Sequence, residues 1–328
     1  MVDTVDRRIQ YIQEPVQEQL DQVVERLRGL ASQHHAPSQS ELLESAAFGA
    51  GKKLRPALTL LAASFYPCDP ENIVTMATSV ELLHIASLIH DDTVDRSSMR
   101  RGRATVSSRW GGKVAVLLGD YVFATSATYV CDTGNLRVIR RFSETIMDLA
   151  KGELSEHFST HDWNQTREDY ELRTYNKTAS LFCTSTESGA VLSGAPEEVC
   201  QALKSYGYQV GMAFQIMDDI LDFQGTEEEL GKPVGNDLLQ GTLTLPVLLF
   251  AERHPDELVL RRLKEGGTDV ADLQKAVEMI RNSAAISDAL AVADEYRSRA
   301  FEMLGGLEDH RARRSLEELT EYVTQRRS

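Results

Sequence analysis

Two copies of Asp-Asp-x-x-Asp mark this 328-residue chain, each closing an apolar run. The first is Asp91, Asp92 and Asp95 in LIHDDTVD; the second is Asp218, Asp219 and Asp222 in FQIMDDILD. On a helix, residues three and four apart share a face, so each motif projects carboxylates from one surface. Crowded carboxylates at the end of a buried helix repel one another, and a buried charge without a partner is expensive. A hard divalent cation with oxygen ligands is the usual remedy. Two such clusters facing each other across a cavity would suit Mg²⁺ ions gripping a diphosphate. The bland reading of a single copy is a solvated acidic helix end. The flanks VELLHIASLIH and VGMAFQIM argue against it, because both read as buried helices.

Basic residues sharpen the picture. Arg96, Arg100, Arg101 and Arg103 follow the first motif in RSSMRRGRAT, and Lys52, Lys53 and Arg55 lie upstream in GAGKKLRP. Arginine forks match phosphate oxygens and lysine adds a point charge. A carboxylate cluster beside a basic cluster describes a site for two anionic substrates. One would be held through metal and the other directly.

With these motifs in order, the chain resembles the trans-type isoprenyl (polyprenyl) diphosphate synthases. The likeness runs from GKKLRP to GTLTLP and includes LLGDYVFA, KGELSE, YNKTASLF and GKPVGND. It implies the isoprenoid synthase fold and a prenyltransferase. An allylic diphosphate ionises, isopentenyl diphosphate attacks the cation, and a proton leaves, with the freed diphosphate as base. The cofactor implied is Mg²⁺, about three ions on the six aspartates, with Mn²⁺ able to substitute. Asp91 and Asp95 are first choices as ligands with Asp92 in support. Asp218 leads the second motif, with Asp219 and Asp222 closing the shell. Carried over position by position, Arg100, Lys177, Gln215 and Lys232 contact the allylic diphosphate. Lys52, Arg55, His84 and Arg101 bind isopentenyl diphosphate. His84 lies two helical turns before Asp91, hence on the aspartate face; its rival role is a hydrogen-bonded core histidine. Thr178 either steadies the cation or serves the core. Two positions depart from many relatives: Thr242 stands where a lysine is common, and Glu156 where glutamine is common.

The net charge is −15, which makes a poor nucleic-acid or anionic-membrane binder. Cys68, Cys131, Cys183 and Cys200 show no metal or redox spacing and read as reduced thiols of a cytoplasmic protein. The start MVDTVDRRIQ lacks the apolar core of a signal peptide, and no run of 18 apolar residues appears. Integral membrane association is therefore not expected.

Nearly every segment that must position these groups reads as helix, giving one all-α domain over 1–328, a large helical bundle around a central cavity. Helices are predicted over 14–30, from a Ser38/Glu41 capping box to Phe48, and from Asp69-Pro70-Glu71 to about Asp95, the last carrying the first motif. Further helices are predicted over 111–130, 135–158, 167–193 and 196–222, the last carrying the second motif. QGTEEELGKPVGNDLLQGT is the longest break, followed by helices near 245–253, 256–264, 269–281, 284–304 and 308–326. His34 and His35 fall in a connector and read as solvent-exposed. No convincing strand is seen.

Product length is read at the fifth and fourth residues before the first motif. In the family these set the pocket floor; here they are Ala86 and Ser87, both small. The tunnel is expected to end deeper, near Leu82, Ser79 or Met76. A medium- or long-chain all-trans polyprenyl diphosphate follows, with geranylgeranyl or farnesyl diphosphate as the shorter alternative. The family implies a homodimer; some long-chain relatives need a different partner subunit. A non-catalytic partner subunit would typically lose an aspartate motif, and both are intact. A class I terpene cyclase would lack the Lys52, Arg55, Arg100 and Arg101 set.

Overall fold

The computed structural model describes residues 2–32, 41–42, 51–100, 102–226, 233–267 and 269–325. It is an all-α protein. In chain order the helices are α1 (Val2–Gln13), a 3₁₀ turn (Glu14–Val16), α2 (Gln17–Ser32), α3 (Leu54–Ala63) and α4 (Pro70–Val94). Next come α5 (Val106–Trp110), α6 (Gly112–Asp132), α7 (Leu136–Phe158) and α8 (Arg167–Thr174). A π turn (Tyr175–Ala179) leads into α9 (Ser180–Leu192) and α10 (Glu197–Gln224). The rest are α11 (Asn236–Leu239), α12 (Leu245–Arg253), α13 (Leu258–Lys264), α14 (Val270–Arg281), α15 (Ala285–Gly305) and α16 (Arg311–Gln325).

Most predicted boundaries fall within a few residues. Asp69 caps α4, accepting from the Glu71 amide at 3.0 Å behind Pro70. Several features differ. The helix predicted over 14–30 runs on to Ser32, and α1, α3, α5 and α11 were not anticipated. The helix predicted over 167–193 is interrupted by the π turn, which inserts an extra residue into the ladder without any residue type that signals it. A two-stranded ribbon exists, β1 (Met99–Arg100) with β2 (Arg103–Ala104), where no strand was expected. Strands of two residues carry no alternation to read, and the turn uses Gly102 at φ 74°. The predicted Ser38–Phe48 helix and the pair His34 and His35 lie almost wholly outside the described residues; only Glu41 and Leu42, both helical, are described.

The contacts group the chain into two compact units, with boundaries inside α7, α9, α10, α15 and α16. The first comprises 1–146, 181–207 and 303–319. Its centre is α4, buried on all sides over most of its length, and α3, almost wholly buried. α4 packs along α6, where Ser79 donates to the Ser126 carbonyl at 2.7 Å. Near the other end, the His90 ring lies over Gly119; any Cβ there would come within 2.1 Å of it. Buried Glu187 is held by Arg137, Arg141 and Lys204.

The second unit comprises 147–180, 208–302 and 320–328. The end of α7 approaches the π turn so closely that a Cβ on Gly152 would sit 2.8 Å from the Lys177 amide nitrogen. Thr166 and Asp169 form a reciprocal capping box at the start of α8. Buried Arg173 donates to the Leu243 carbonyl at 2.6 Å, anchoring the chain before α12.

Two helices, α4 and α6, are long and apolar enough to cross a membrane by length and composition alone. They pass because average hydropathy tolerates the polar residues that interrupt each run. In α4 the apolar window is mostly buried; in α6 it is 33 % buried. The outer face of α6 shows Val116, Leu117 and Tyr121 at 44 %, 60 % and 40 % exposure. All four cysteines are free thiols.

Candidate active site

In the first unit, the C-terminal half of α4 divides into two faces. Ser79, Ala86 and His90 recur at helical spacing on the side toward α6. Ala86 is 0 % exposed there. His84, Ser87, Leu88 and Asp91 are half-open and form the opposite stripe, continued by exposed Asp95. The helix ends because Arg96 turns left-handed at φ 52°, while the Asp95 amide donates to the Asp91 carbonyl at 2.8 Å. Asp92 points elsewhere: it is buried and accepts from Arg100 Nε at 2.7 Å. Burial pushes its carboxyl above the usual range, and the Arg100 guanidinium works against that.

Among the basic groups, Arg55 and His84 meet. Arg55 Nη1 lies 3.2 Å from His84 Nε2, and its guanidinium stacks 4.7 Å from the centre of the Phe182 ring. Lys53, left-handed at φ 48°, places Nζ 2.9 Å from buried Glu81. Lys52 is exposed, and its carbonyl accepts from Gln13 at 2.7 Å. Arg101 and Lys232 lie outside the described residues.

In the second unit, α10 presents half-open Gln215 and Asp218 on one stripe. Asp219 is 2 % exposed and takes hydrogen bonds on both oxygens, from Tyr170 Oη at 2.6 Å and Gln215 Nε2 at 3.0 Å. Burial pushes its carboxyl up to about 8; the two donors lower it, and Asp237 and Asp218 raise it. Buried Asp222 fixes the chain ahead of α11, accepting from the Asp237 amide at 3.2 Å through its side chain and from the Gly235 amide at 2.8 Å through its carbonyl. Lys177 and Thr178 sit in the π turn. Lys177 Nζ bridges Glu153 at 2.9 Å and Glu156 at 2.6 Å. Burial opposes its charge, but Glu156 and Glu153 outweigh burial and hold the ammonium above the ordinary lysine range. Thr178 donates to Gln215 Oε1 at 2.8 Å.

Among the described residues, no three His, Cys, Asp or Glu side chains converge as a ready-made metal cage. That fits Mg²⁺, which is usually bound by one or two carboxylates together with waters and substrate phosphates. Asp91 and Asp95 offer such an all-oxygen pair on the open stripe, and Asp218 offers a single carboxylate on α10. The sequence did not announce Tyr170, Phe182, Glu81 or Glu153. Each is a buried or half-buried partner of a motif residue, and none carries a spacing of its own.

The chain matches the Polyprenyl synthetase family profile over residues 37–280. It is 41 % identical over 278 residues to heptaprenyl diphosphate synthase component 2 of Geobacillus stearothermophilus, covering 84 % of this chain and 86 % of that protein. The chain belongs to the polyprenyl synthetase family. Solanesyl-diphosphate synthase 2 of Oryza sativa is 38 % identical over 301 residues, covering 88 % of this chain and 74 % of that protein. The crystal structure of a polyprenyl synthase from Caulobacter crescentus, complexed with calcium and isoprenyl diphosphate, superposes with a TM-score of 0.89 at 31 % identity, covering 98 % of each chain. The protein thus has the isoprenoid synthase fold and is a trans-prenyltransferase.

Proposed function

We propose that this enzyme extends an allylic diphosphate with isopentenyl diphosphate units to a medium- or long-chain all-trans product, using Mg²⁺. The observation that carries this reading is the open stripe of α4. Carboxylates Asp91 and Asp95 stand at its end, and behind Asp91 come only Leu88 and the small Ser87 before His84. The relatives' names, heptaprenyl and solanesyl diphosphate synthase, agree with a long product.

Asp91 and Asp95 at the end of α4 and Asp218 on α10 would each hold metal, with Asp92, Asp219 and Asp222 shaping the positions of their neighbours. When bound, Mg²⁺ supplies Lewis-acid neutralisation of the departing diphosphate. Lys177, Gln215 and Arg100 orient the allylic diphosphate. Lys177 must exchange its two glutamates for phosphate oxygens to do so, and Arg100 must share or leave Asp92. Arg55 and His84 receive isopentenyl diphosphate, with Phe182 keeping the Arg55 fork in plane. Arg101, Lys232 and exposed Lys52 complete the assignment from sequence. Thr178 acts through Gln215.

A homodimer is proposed as well, with the outer apolar face of α6 as its support, since a patch of this kind on a protein surface marks an interaction site. The Geobacillus relative is named as one component, so a second, different subunit is the alternative occupant. The four free thiols agree with a cytoplasmic setting.

The test is incubation with isopentenyl diphosphate and allylic primers of several lengths, with Mg²⁺ or with a chelator, followed by sizing of the dephosphorylated products. Metal-dependent products longer than geranylgeranyl are expected, and Asp91→Ala or Asp218→Ala should cut turnover by orders of magnitude. Turnover in chelator, or near-normal turnover in both variants, removes the metal assignment. Products no longer than geranylgeranyl remove the long-chain reading.

A further inference from the structure

Asp219 cannot act like its neighbour Asp218. It is buried, and each of its oxygens already accepts a hydrogen bond. The donor on Oδ2 is Tyr170, itself only 2 % exposed, on α8. The donor on Oδ1 is Gln215, whose own carbonyl oxygen accepts from Thr178 at 2.8 Å. A continuous chain therefore runs from Thr178 in the π turn through Gln215 and Asp219 to Tyr170. Its two exits are functional positions: Thr178 adjoins Lys177, and Asp219 adjoins Asp218.

We infer that Tyr170 is a positioning residue for prenyl transfer. Its hydroxyl fixes one oxygen of Asp219. The other oxygen then orients the Gln215 amide, and that orientation leaves the Gln215 carbonyl to take the Thr178 hydroxyl. Removing the hydroxyl takes away one of the two donors that hold a buried carboxylate, which is costly. The carboxylate can regain a partner only by turning further toward the Gln215 amide, away from the geometry that keeps it apart from the like charge of Asp218, and that movement disturbs the metal and allylic-diphosphate groups together. The basic groups of α3 and α4 lie outside this chain of bonds, so use of isopentenyl diphosphate should be spared. A tyrosine that merely filled the core would do otherwise, lowering thermal stability without separating the substrates.

The inference rests on the proposed roles of Asp218 and Gln215. The test uses the full-length protein and the variants Tyr170→Phe, Asp219→Asn, their double and Asp218→Ala. Tyr170→Phe removes one atom and keeps the ring. Mn²⁺ binding is followed by electron paramagnetic resonance with a non-ionising allylic thiolodiphosphate present, and KM is measured for each substrate. Loss of a partner that orients a metal ligand typically costs about 10- to 100-fold in metal affinity, and Tyr170, one contact further from the metal, belongs at the low end of that range. Tyr170→Phe is therefore expected to weaken Mn²⁺ binding roughly 10-fold and raise the allylic KM, with the isopentenyl KM within about twofold of wild type. In the Asp219→Asn background the same change should add little, because both act on one contact. Wild-type Mn²⁺ affinity and allylic KM in Tyr170→Phe overturn the inference, as does full additivity with Asp219→Asn. Unaltered Mn²⁺ binding in Asp218→Ala instead overturns the underlying site reading, whatever Tyr170→Phe does.

Discussion

Replacing Ser87 with phenylalanine should shorten the product, and the equivalent change at Ala86 should not do so cleanly. The sequence offered both positions as the floor of the tail pocket, but the structure puts them on different faces of α4. Ser87 is half-open, on the stripe of His84, Leu88 and Asp91. Ala86 is fully buried, between Ser79 and His90 on the side packed against α6. A turn of helix rises about 5.4 Å, so Ser87 stands roughly one turn behind Asp91, close to the span of one isoprene unit. A phenyl ring there confronts a tail anchored at the aspartates after its first units. Passing it means displacing packed side chains, at about 1–3 kcal/mol, or roughly a 5- to 150-fold slowing of each later condensation. The aspartates and arginines are untouched, so early condensations should proceed. At Ala86 the same ring has no open space, and a comparable cost of about 1–3 kcal/mol falls on folding instead. The assay is chromatography of dephosphorylated products from both variants, together with their melting temperatures. An unchanged product distribution in Ser87→Phe, with a clean shortening at unchanged melting temperature in Ala86→Phe, would refute the division of faces.

Two further outcomes follow from the geometry. Arg55→Ala and His84→Ala should raise the KM for isopentenyl diphosphate by about 10-fold or more, as loss of a hydrogen bond to a charged group costs about 1.5–3 kcal/mol, while Lys177→Ala should act mainly on the allylic substrate; steady-state kinetics with each substrate varied in turn decides, and equal effects on both would merge the sites. Burial pushes the Cys183 thiol up to about 12, so at pH 8 it should resist alkylation in the native protein while exposed Cys131 is labelled, a contrast that peptide mass spectrometry reads directly.

Helical periodicity and start signals carried most of the fold, because long amphipathic or buried helices repeat their pattern many times. Asp69-Pro70-Glu71 located the start of α4 to the residue. The features that escaped are those with few repeats or none. The ribbon at Met99–Ala104 has two residues per strand, and the π turn at Tyr175–Ala179 differs from an α-helix by a single inserted residue. The close approach of Gly152 to the Lys177 backbone has no sequence signature either, since it concerns residues from different helices. That approach leaves the helix no room for a side chain where the π turn carries Lys177.

The site was legible where chemistry demands a cluster and illegible where it demands only a partner. Paired aspartates and grouped arginines announce themselves by repulsion that something must relieve. Their counter-charges do not. Arg100 rests on Asp92, Lys53 on Glu81, and Lys177 on Glu153 and Glu156. Each pairs a basic group with one carboxylate or two; Asp92 is itself a motif residue, but its pairing with Arg100 does not follow from spacing, and neither do Glu81, Glu153 and Glu156. The arrangement has a physical reason in a chain of net charge −15. A cluster of bare cations in a partly buried place would be costly without anions, and breaking a buried pair by removing one partner leaves the other charge uncompensated. The paired carboxylates hold these basic groups in position. On the role proposed for Lys177, the cost would fall on affinity, because an incoming diphosphate would have to displace Glu153 and Glu156 before gaining its charge. Glu156, where many relatives carry glutamine, would strengthen that competition by one full negative charge.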